Sequence, residues 1–325
     1  YGTGNELWAF IPAGVLPHLK KNALRDGSRF SAELSPVLSD VLLDTDGDGH
    51  GDSWRTVLIC IAGSPIRSIL CLDVTDPHDP LFLWERTIED IDREGLSPAV
   101  ARIGRIRDPR SGEAIWVAFI VTGRMIEKHR YPSVSLIDIA NGNTIQNATL
   151  DGPADLNGDG HLNDSENSYG ESGILSGQPA IVDSDSNGFI DRVYLASSKG
   201  LIYKINIPDD DPDTDMGFTS CVINTDFTDS RGQSIPFDLR WQPIFTSPTV
   251  DVETGTNEFG EATPMVRVFV GTSAGSHQTN DIRKGMNRNI FLSILDTTSK
   301  GGCDQNEHQL DWFVQLEEDH RITTS

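Results

Sequence analysis

The chain has 325 residues, 37% hydrophobic and 23% charged, which is enough apolar content for a large core and too much for a disordered chain. Its 49 acidic residues against 26 basic ones give a formal net charge of −23, which repels a phosphate backbone or an anionic membrane surface and leaves cations as the natural small partners. No apolar run approaches the ~20 residues that span a bilayer and no basic-then-apolar leader precedes the first strand, so nucleic acid and a membrane span are excluded and any export signal is expected outside this chain.

Glu6-Leu7-Trp8-Ala9-Phe10-Ile11-Pro12 reads as a strand with nothing before it to pair with, as in a fragment that has lost its upstream partner strands. Residues 13–30, with Leu16, Leu19 and Leu24, are expected to form a short helix. A repeating pattern follows. Its first pass opens at Pro36, crosses an acidic loop, and runs through strands 56–62, 68–74 and 81–85. The second opens at Pro98 and contains strands 114–120 and 134–138 with a turn at Asn141-Gly142. The third opens at Pro179, crosses a second acidic loop, and continues through 193–196 and 201–205. The fourth opens at Pro248 and contains 265–270, 290–295 and 310–314.

Four short β-rich runs per pass is the composition of a propeller blade, and the fold class is read as an all-β propeller of four-stranded antiparallel blades. The starts lie about 60 to 80 residues apart, longer than the ~40–50 of compact blades, so insertions are expected at 151–177, 207–240 and 274–288. Residues 1–325 are read as one propeller fragment of about four whole blades plus part of the blade at each end. A β-sandwich would explain the short strands, but not the repeated Pro start and aromatic fourth strand. Trp8, Trp84 and Trp312 fall at fourth-strand positions and are read as packing residues.

The chemistry lies in the loops. Asp183-Ser184-Asp185-Ser186-Asn187-Gly188-Phe189-Ile190-Asp191 places oxygen side chains at positions one, three, five and nine and a glycine at six, the arrangement that wraps Ca²⁺. The expected ligands are Asp183, Asp185, Asn187, the carbonyl of Phe189, and Asp191. A second copy at 44–52 offers Asp44, Asp46, Asp48, the carbonyl of His50, and Asp52. A third loop has the full twelve-residue spacing, with Asp155, Asn157, Asp159, the carbonyl of His161, Asn163 and a bidentate Glu166. One to three calcium ions are expected, against the plainer reading of all three as Asp/Gly-rich surface turns. The imidazoles of His50 and His161 are expected in solvent, and the acidic run Asp209-Asp210-Asp211 with Asp213 and Asp215 reads as a solvated loop.

Catalytic signatures are absent: the sequence holds no G-x-S-x-G elbow, P-loop or H-E-x-x-H, so no catalytic residue is assigned and a non-enzymatic role is expected. The four cysteines, Cys60, Cys71, Cys221 and Cys303, match neither a zinc ribbon nor a haem attachment pattern. Cys60 and Cys71 could face each other across a hairpin or be small buried residues.

Taken together, the run 6–12 with a nearby helix, Leu72-Asp73-Val74-Thr75-Asp76-Pro77 followed by Leu83-Trp84-Glu85, and the loop 183–191 continuing through Arg192-Val193-Tyr194 to Gly200-Leu201-Ile202-Tyr203-Lys204 resemble the C-terminal propeller of PilY-type proteins, the type IV pilus-associated adhesins and biogenesis factors of bacteria. The resemblance implies a modified quinoprotein-like β-propeller exported to the bacterial surface or pilus, with pilus subunits or minor pilins as partners. A host or abiotic surface would be bound through regions not in this chain. It also implies a calcium site, at Asp183, Asp185, Asn187, Phe189 and Asp191, whose occupancy affects pilus extension and retraction. The chain departs from the family pattern at 62–67, which lacks a glycine-rich run, and the loops at 44 and 155 are additional. Two other classes compete. A quinone-dependent dehydrogenase would commonly carry a vicinal cysteine pair, which is not present. An extracellular calcium-dependent adhesion propeller of the integrin type would show tandem Phe-Gly and Gly-Ala-Pro signatures, also not present.

Overall fold

A computed structural model describes residues 6–16, 19, 34–46, 48, 50–62, 68–87, 101–126, 129–150, 175–197, 200–208, 219–223, 232, 244, 246–256, 262–272, 290–297 and 308–315. They form sixteen strands in four antiparallel sheets, each a simple meander in chain order. The first sheet contains β1 (Leu34–Leu43), β2 (Ser53–Ala62), β3 (Ser68–Asp73) and β4 (Leu81–Thr87). The second contains β5 (Ala101–Arg107), β6 (Ala114–Ile126), β7 (His129–Asp138) and β8 (Thr144–Thr149). The third contains β9 (Leu175–Val182), β10 (Arg192–Ser197), β11 (Ile202–Asn206) and β12 (Thr219–Ile223). The fourth contains β13 (Thr249–Thr256), β14 (Ala262–Gly271), β15 (Ile290–Asp296) and β16 (His308–Gln315). The expected all-β, four-stranded antiparallel organisation is therefore what the chain adopts.

Side-chain alternation along the inner strands explains how the sheets stack. Successive residues of a strand point to opposite faces, so a strand apolar at every position buries both. In β6, Val117, Phe119 and Val121 join the core shared with the third sheet, whereas Ala118 and Ile120 join the core shared with the first. In β10, Val193 and Leu195 face the second sheet while Tyr194 and Ala196 face the fourth. Three apolar cores thus lie between four sheets taken in chain order. Aromatic side chains from two fourth strands pack differently. Trp84 on β4 is buried and its indole N–H donates to the carbonyl of Ile139 at 2.7 Å, tying the first sheet to the second. Trp312 on β16 packs with Phe269 and Phe291 of its own sheet.

Proline placement follows the hydrogen bonding. Pro36 lies in β1, an edge strand bonded only to β2, where a missing N–H goes unnoticed by the ladder. Pro98, the second expected start, falls outside the described residues.

The N-terminal stretch differs from expectation. Residues 6–12 are not in a strand; a 3₁₀ turn at Ala13–Val15 leads into α-helical Leu16 and Leu19, and the rest of 17–33 lies outside the described residues. Anchorage to the first sheet replaces strand pairing. The Trp8 indole donates to the Pro77 carbonyl at 3.0 Å, the N–H groups of Ala13 and Gly14 donate to the Glu85 carboxylate at 2.8 and 3.0 Å, and Phe10 stacks on Phe82. Trp8 is therefore a docking residue and not a fourth-strand residue. The expected insertions at 151–177 and 207–240 fall largely outside the described residues, and 274–288 entirely so. Among the described residues, no helix is long and apolar enough to cross a membrane.

Cys60 and Cys71 are free thiols. Their register explains why: Cys60 lies across from Leu70 and Cys71 across from Ile59, which puts the two sulfur atoms on opposite faces of the sheet.

Candidate metal centre

Both nine-residue loops occupy the same place in their sheets. Residues 44–52 join β1 to β2, and 183–191 join β9 to β10, so each turns the first hairpin of a meander. Each is closed in the same way by its ninth residue. Asp52 accepts from the Thr45 N–H at 3.2 Å and the Thr45 hydroxyl at 2.8 Å, and its own N–H donates to the Leu43 carbonyl at 2.9 Å. Asp191 accepts from the Ser184 N–H at 3.1 Å and from the Ser184 hydroxyl, and its N–H donates to the Val182 carbonyl at 2.9 Å. A hydroxyl residue at position two and an aspartate at position nine therefore form the neck of each loop. A Ser or Thr at position two marks this pairing in both copies, although position two is not a ligand position and so carries no metal-loop signal.

Above the neck of the first loop, the side chains at positions one, three and five converge. Carboxylate oxygens of Asp44, Asp46 and Asp48 lie within 4.8 Å of one another, a donor set of hard oxygens close enough to share one ion. The chain's own amides partly occupy them: the Asp48 N–H donates to Asp46 at 3.2 Å and the His50 N–H to Asp48 at 2.8 Å. In the other loop, the Asn187 N–H donates to both Asp183 and Asp185, at 3.1 and 3.2 Å, and the Gly188 N–H to Asp183 at 2.8 Å. The Asn187 side-chain oxygen accepts from the Phe189 N–H at 2.8 Å. Two left-handed residues, Ser186 at φ 62 and Gly188 at φ 88, make the bend that lets positions one, three and five face inward. Carboxylates gathered this way repel one another, and a dication removes that cost. The Asp44, Asp46 and Asp48 carboxylates thus offer the all-oxygen donor set that suits a calcium ion, whereas among the described residues Asp183, Asp185 and Asp191 do not gather into a comparable group of three carboxylates.

His50 is exposed as expected, with Nδ1 3.7 Å from Glu113, a residue of the β5–β6 hairpin in the second sheet. Phe189 is less simply described. Its ring is buried, with the guanidinium carbons of Arg105 and Arg107 over it at 4.5 and 4.3 Å from the centroid. Arg105 Nε donates to the Gly188 carbonyl at 3.0 Å, and the Ile190 N–H donates to the Arg105 carbonyl at 2.8 Å. No local spacing marks Arg105 and Arg107, because they come from a strand far away in the chain. The third predicted loop, with Asp155, Asn157, Asp159, His161, Asn163 and Glu166, and the acidic run 209–215 lie outside the described residues.

No family model matches the chain. Individual relatives do. The type IV pilus biogenesis factor PilY1 of Pseudomonas aeruginosa (strain UCBPP-PA14) is 29% identical over 225 residues, covering 65% of this chain and 16% of that protein. A protein named type IV pilus biogenesis factor PilY1 homolog from Xylella fastidiosa (strain Temecula1) is 29% identical over 213 residues, covering 64% of this chain and 13% of that protein. The chain therefore spans only a small part of the length of these relatives. Among solved structures, the crystal structure of the Pseudomonas aeruginosa PilY1 C-terminal domain matches 92% of this chain and 55% of its own, with a TM-score of 0.52 and 23% identity, a likeness of fold. The resemblance to PilY-type proteins carried by the motifs is borne out by these relatives and by the fold.

Proposed function

We propose that this relative of the PilY1 C-terminal domain is a calcium-binding, non-enzymatic module of a type IV pilus-associated surface protein, acting in pilus assembly, in extension and retraction, and in adhesion. Its four stacked sheets are consecutive blades of a β-propeller. The observation that carries the reading is the duplicated loop: two first hairpins of different sheets present the same acidic spacing, closed by the same neck, on a fold shared with a domain of a pilus biogenesis factor.

In the loop at 183, Asp183, Asp185, Asn187, the Phe189 carbonyl and Asp191 hold the ion; in the loop at 44, Asp44, Asp46, Asp48, the His50 carbonyl and Asp52 do so. Asp155, Asn157, Asp159, the His161 carbonyl, Asn163 and Glu166 form a third site of the same chemistry. When bound, calcium supplies positive charge that offsets the clustered carboxylates and fixes the turn. The protein works at the bacterial surface, with pilus subunits or minor pilins as its partners.

Thermal melting in chelator and in excess Ca²⁺ tests the metal. A ligand that binds only the folded state at a hundred times its Kd stabilises by about 2.7 kcal/mol, so the melting temperature should rise measurably with Ca²⁺. Identical melts would remove the metal reading. The pilus role is tested separately, by replacing Asp183 and Asp185 with alanine in the full-length protein in its own bacterium and counting surface pili. Unchanged piliation and retraction would leave a calcium-stabilised domain with no regulatory part in the pilus.

A further inference from the structure

The loop at 183–191 has two faces, and only one of them carries the side chains expected to ligate a cation. The residues at positions one, three, five and nine carry the oxygen side chains, while the stretch 188–190 touches the neighbouring sheet at three successive residues. The Gly188 carbonyl accepts from Arg105 Nε, the Phe189 ring lies beneath the guanidiniums of Arg105 and Arg107, and the Ile190 N–H donates to the Arg105 carbonyl. The backbone of β5 is shaped for this approach. A side chain at Gly104 would place its Cβ 2.7 Å from Ile190 Cγ1, so glycine there lets the loop lie against the strand.

Resting on the reading of this loop as a cation site, we infer that Arg105, supported by Arg107, is a positioning residue for that site, and that the loop is a clasp joining cation binding to the packing of the third sheet on the second. The Phe189 carbonyl is both an expected ligand and part of the peptide chain whose neighbouring carbonyl and ring Arg105 holds. Fixing residues 188–190 against β5 removes part of the freedom that the loop must lose when an ion binds. Coupling is reciprocal: if contact with β5 raises affinity for the ion, the ion strengthens contact with β5 by the same factor. A competing effect has the opposite sign. Two guanidiniums close to a cation site repel the cation, so if charge alone mattered, removing one would tighten binding.

Hydrogen exchange with peptide resolution, measured across a Ca²⁺ titration of the whole chain, reads both loops and β5 at once. In the wild type, Ca²⁺ should protect 183–191 and, with the same midpoint, 101–107. Arg105→Met keeps the stem and removes the fork. It should raise the Ca²⁺ midpoint for 183–191 about tenfold and abolish Ca²⁺-dependent protection of 101–107, while the midpoint for 44–52 stays where it was. Arg105→Lys, which restores the charge over Phe189 but not the Nε donor, should fall between. Should Arg105→Met fail to fold, Phe189→Leu keeps the carbonyl and the apolar bulk and should move the 183–191 midpoint in the same direction. An unchanged or lower midpoint for 183–191 in Arg105→Met overturns the clasp and leaves the cation site standing. Lack of Ca²⁺-dependent protection at 183–191 in the wild type overturns the site and the clasp together.

Discussion

Asp296 at the end of β15 offers a test of how the third and fourth sheets are held. Its carboxylate is fully buried, and the third sheet reaches it with three groups: Lys204 Nζ from β11 at 2.9 Å, the Tyr194 hydroxyl from β10, and Arg192 Nη1 from β10 at 3.6 Å. His308 Nε2 of β16 lies 3.6 Å from its other oxygen. Lys204 and Arg192 are as deeply buried as Asp296, so Asp296→Ala would leave two desolvated cations without this counter-charge. Removing one partner of a buried pair costs about 3–5 kcal/mol, most of it the penalty of the charge left behind. Guanidinium unfolding followed by circular dichroism should show this as a midpoint lower by about 1 M at an m-value near 4 kcal/mol/M. If the stranded charge is the cause, adding Lys204→Met to Asp296→Ala should recover part of the loss, giving a coupling of about 1–3 kcal/mol. A midpoint shift below about 0.2 M in the single variant, or a double variant whose losses simply add, would refute the reasoning. The cluster would then contribute packing and not charge pairing.

Four further outcomes are expected. Asp191→Ala should destabilise the protein by about 1–3 kcal/mol even in chelator, because its buried carboxylate accepts from the Ser184 amide and hydroxyl before any ion is considered; a melt in chelator equal to wild type would show that the neck does not depend on it. Trp84→Phe keeps most of the apolar contact but orphans the Ile139 carbonyl, so a loss of about 1–3 kcal/mol by denaturant titration is expected, against almost none if the indole bond is incidental. The Cys71 thiol is pushed up to about 12 by burial, then by Asp73 and Cys60, so in the native protein at pH 8 an alkylating reagent should modify Cys60 well before Cys71, as mass spectrometry of the labelled peptides would show. The folded-state value lies above the unfolded one, so this thiol's contribution is full below pH 9 and is lost as pH rises from 9 towards 12, at up to about 1.4 kcal/mol per pH unit; a Cys71→Ala variant should lose that slope.

The parts of the fold that were legible were those set by local pattern. Continuous apolar runs marked the inner strands: 56–62, 193–196 and 290–295 fall inside β2, β10 and β15, and 68–74 overruns β3 by one residue. Alternation does not say which neighbour takes each face. That Phe119 packs towards the third sheet and Ile120 towards the first follows only from stacking of the whole chain. The strand expected at 6–12 shows the limit from the other side. Its apolar residues carry the right composition, but the Trp8 indole, the Ala13 and Gly14 amides and Phe10 find partners on the first sheet through side chains and carbonyls rather than through a backbone ladder.

The loops sharpen the same distinction. Nine consecutive residues are enough to bring Asp44, Asp46 and Asp48 together, because the turn geometry and the spacing sit in one short segment. They also specified the neck, in the Thr45–Asp52 and Ser184–Asp191 pairs, for anyone asking how the loop is closed rather than what it holds. Position nine closes the loop before any ion is considered, so an alanine there alters closure, and a loss of ion binding in Asp191→Ala alone cannot count as loss of a ligand. Ser184→Ala separates the two. It removes one donor to the Asp191 carboxylate and leaves every expected ligand in place, so affinity lost in Ser184→Ala measures closure, and the further loss in Asp191→Ala measures coordination.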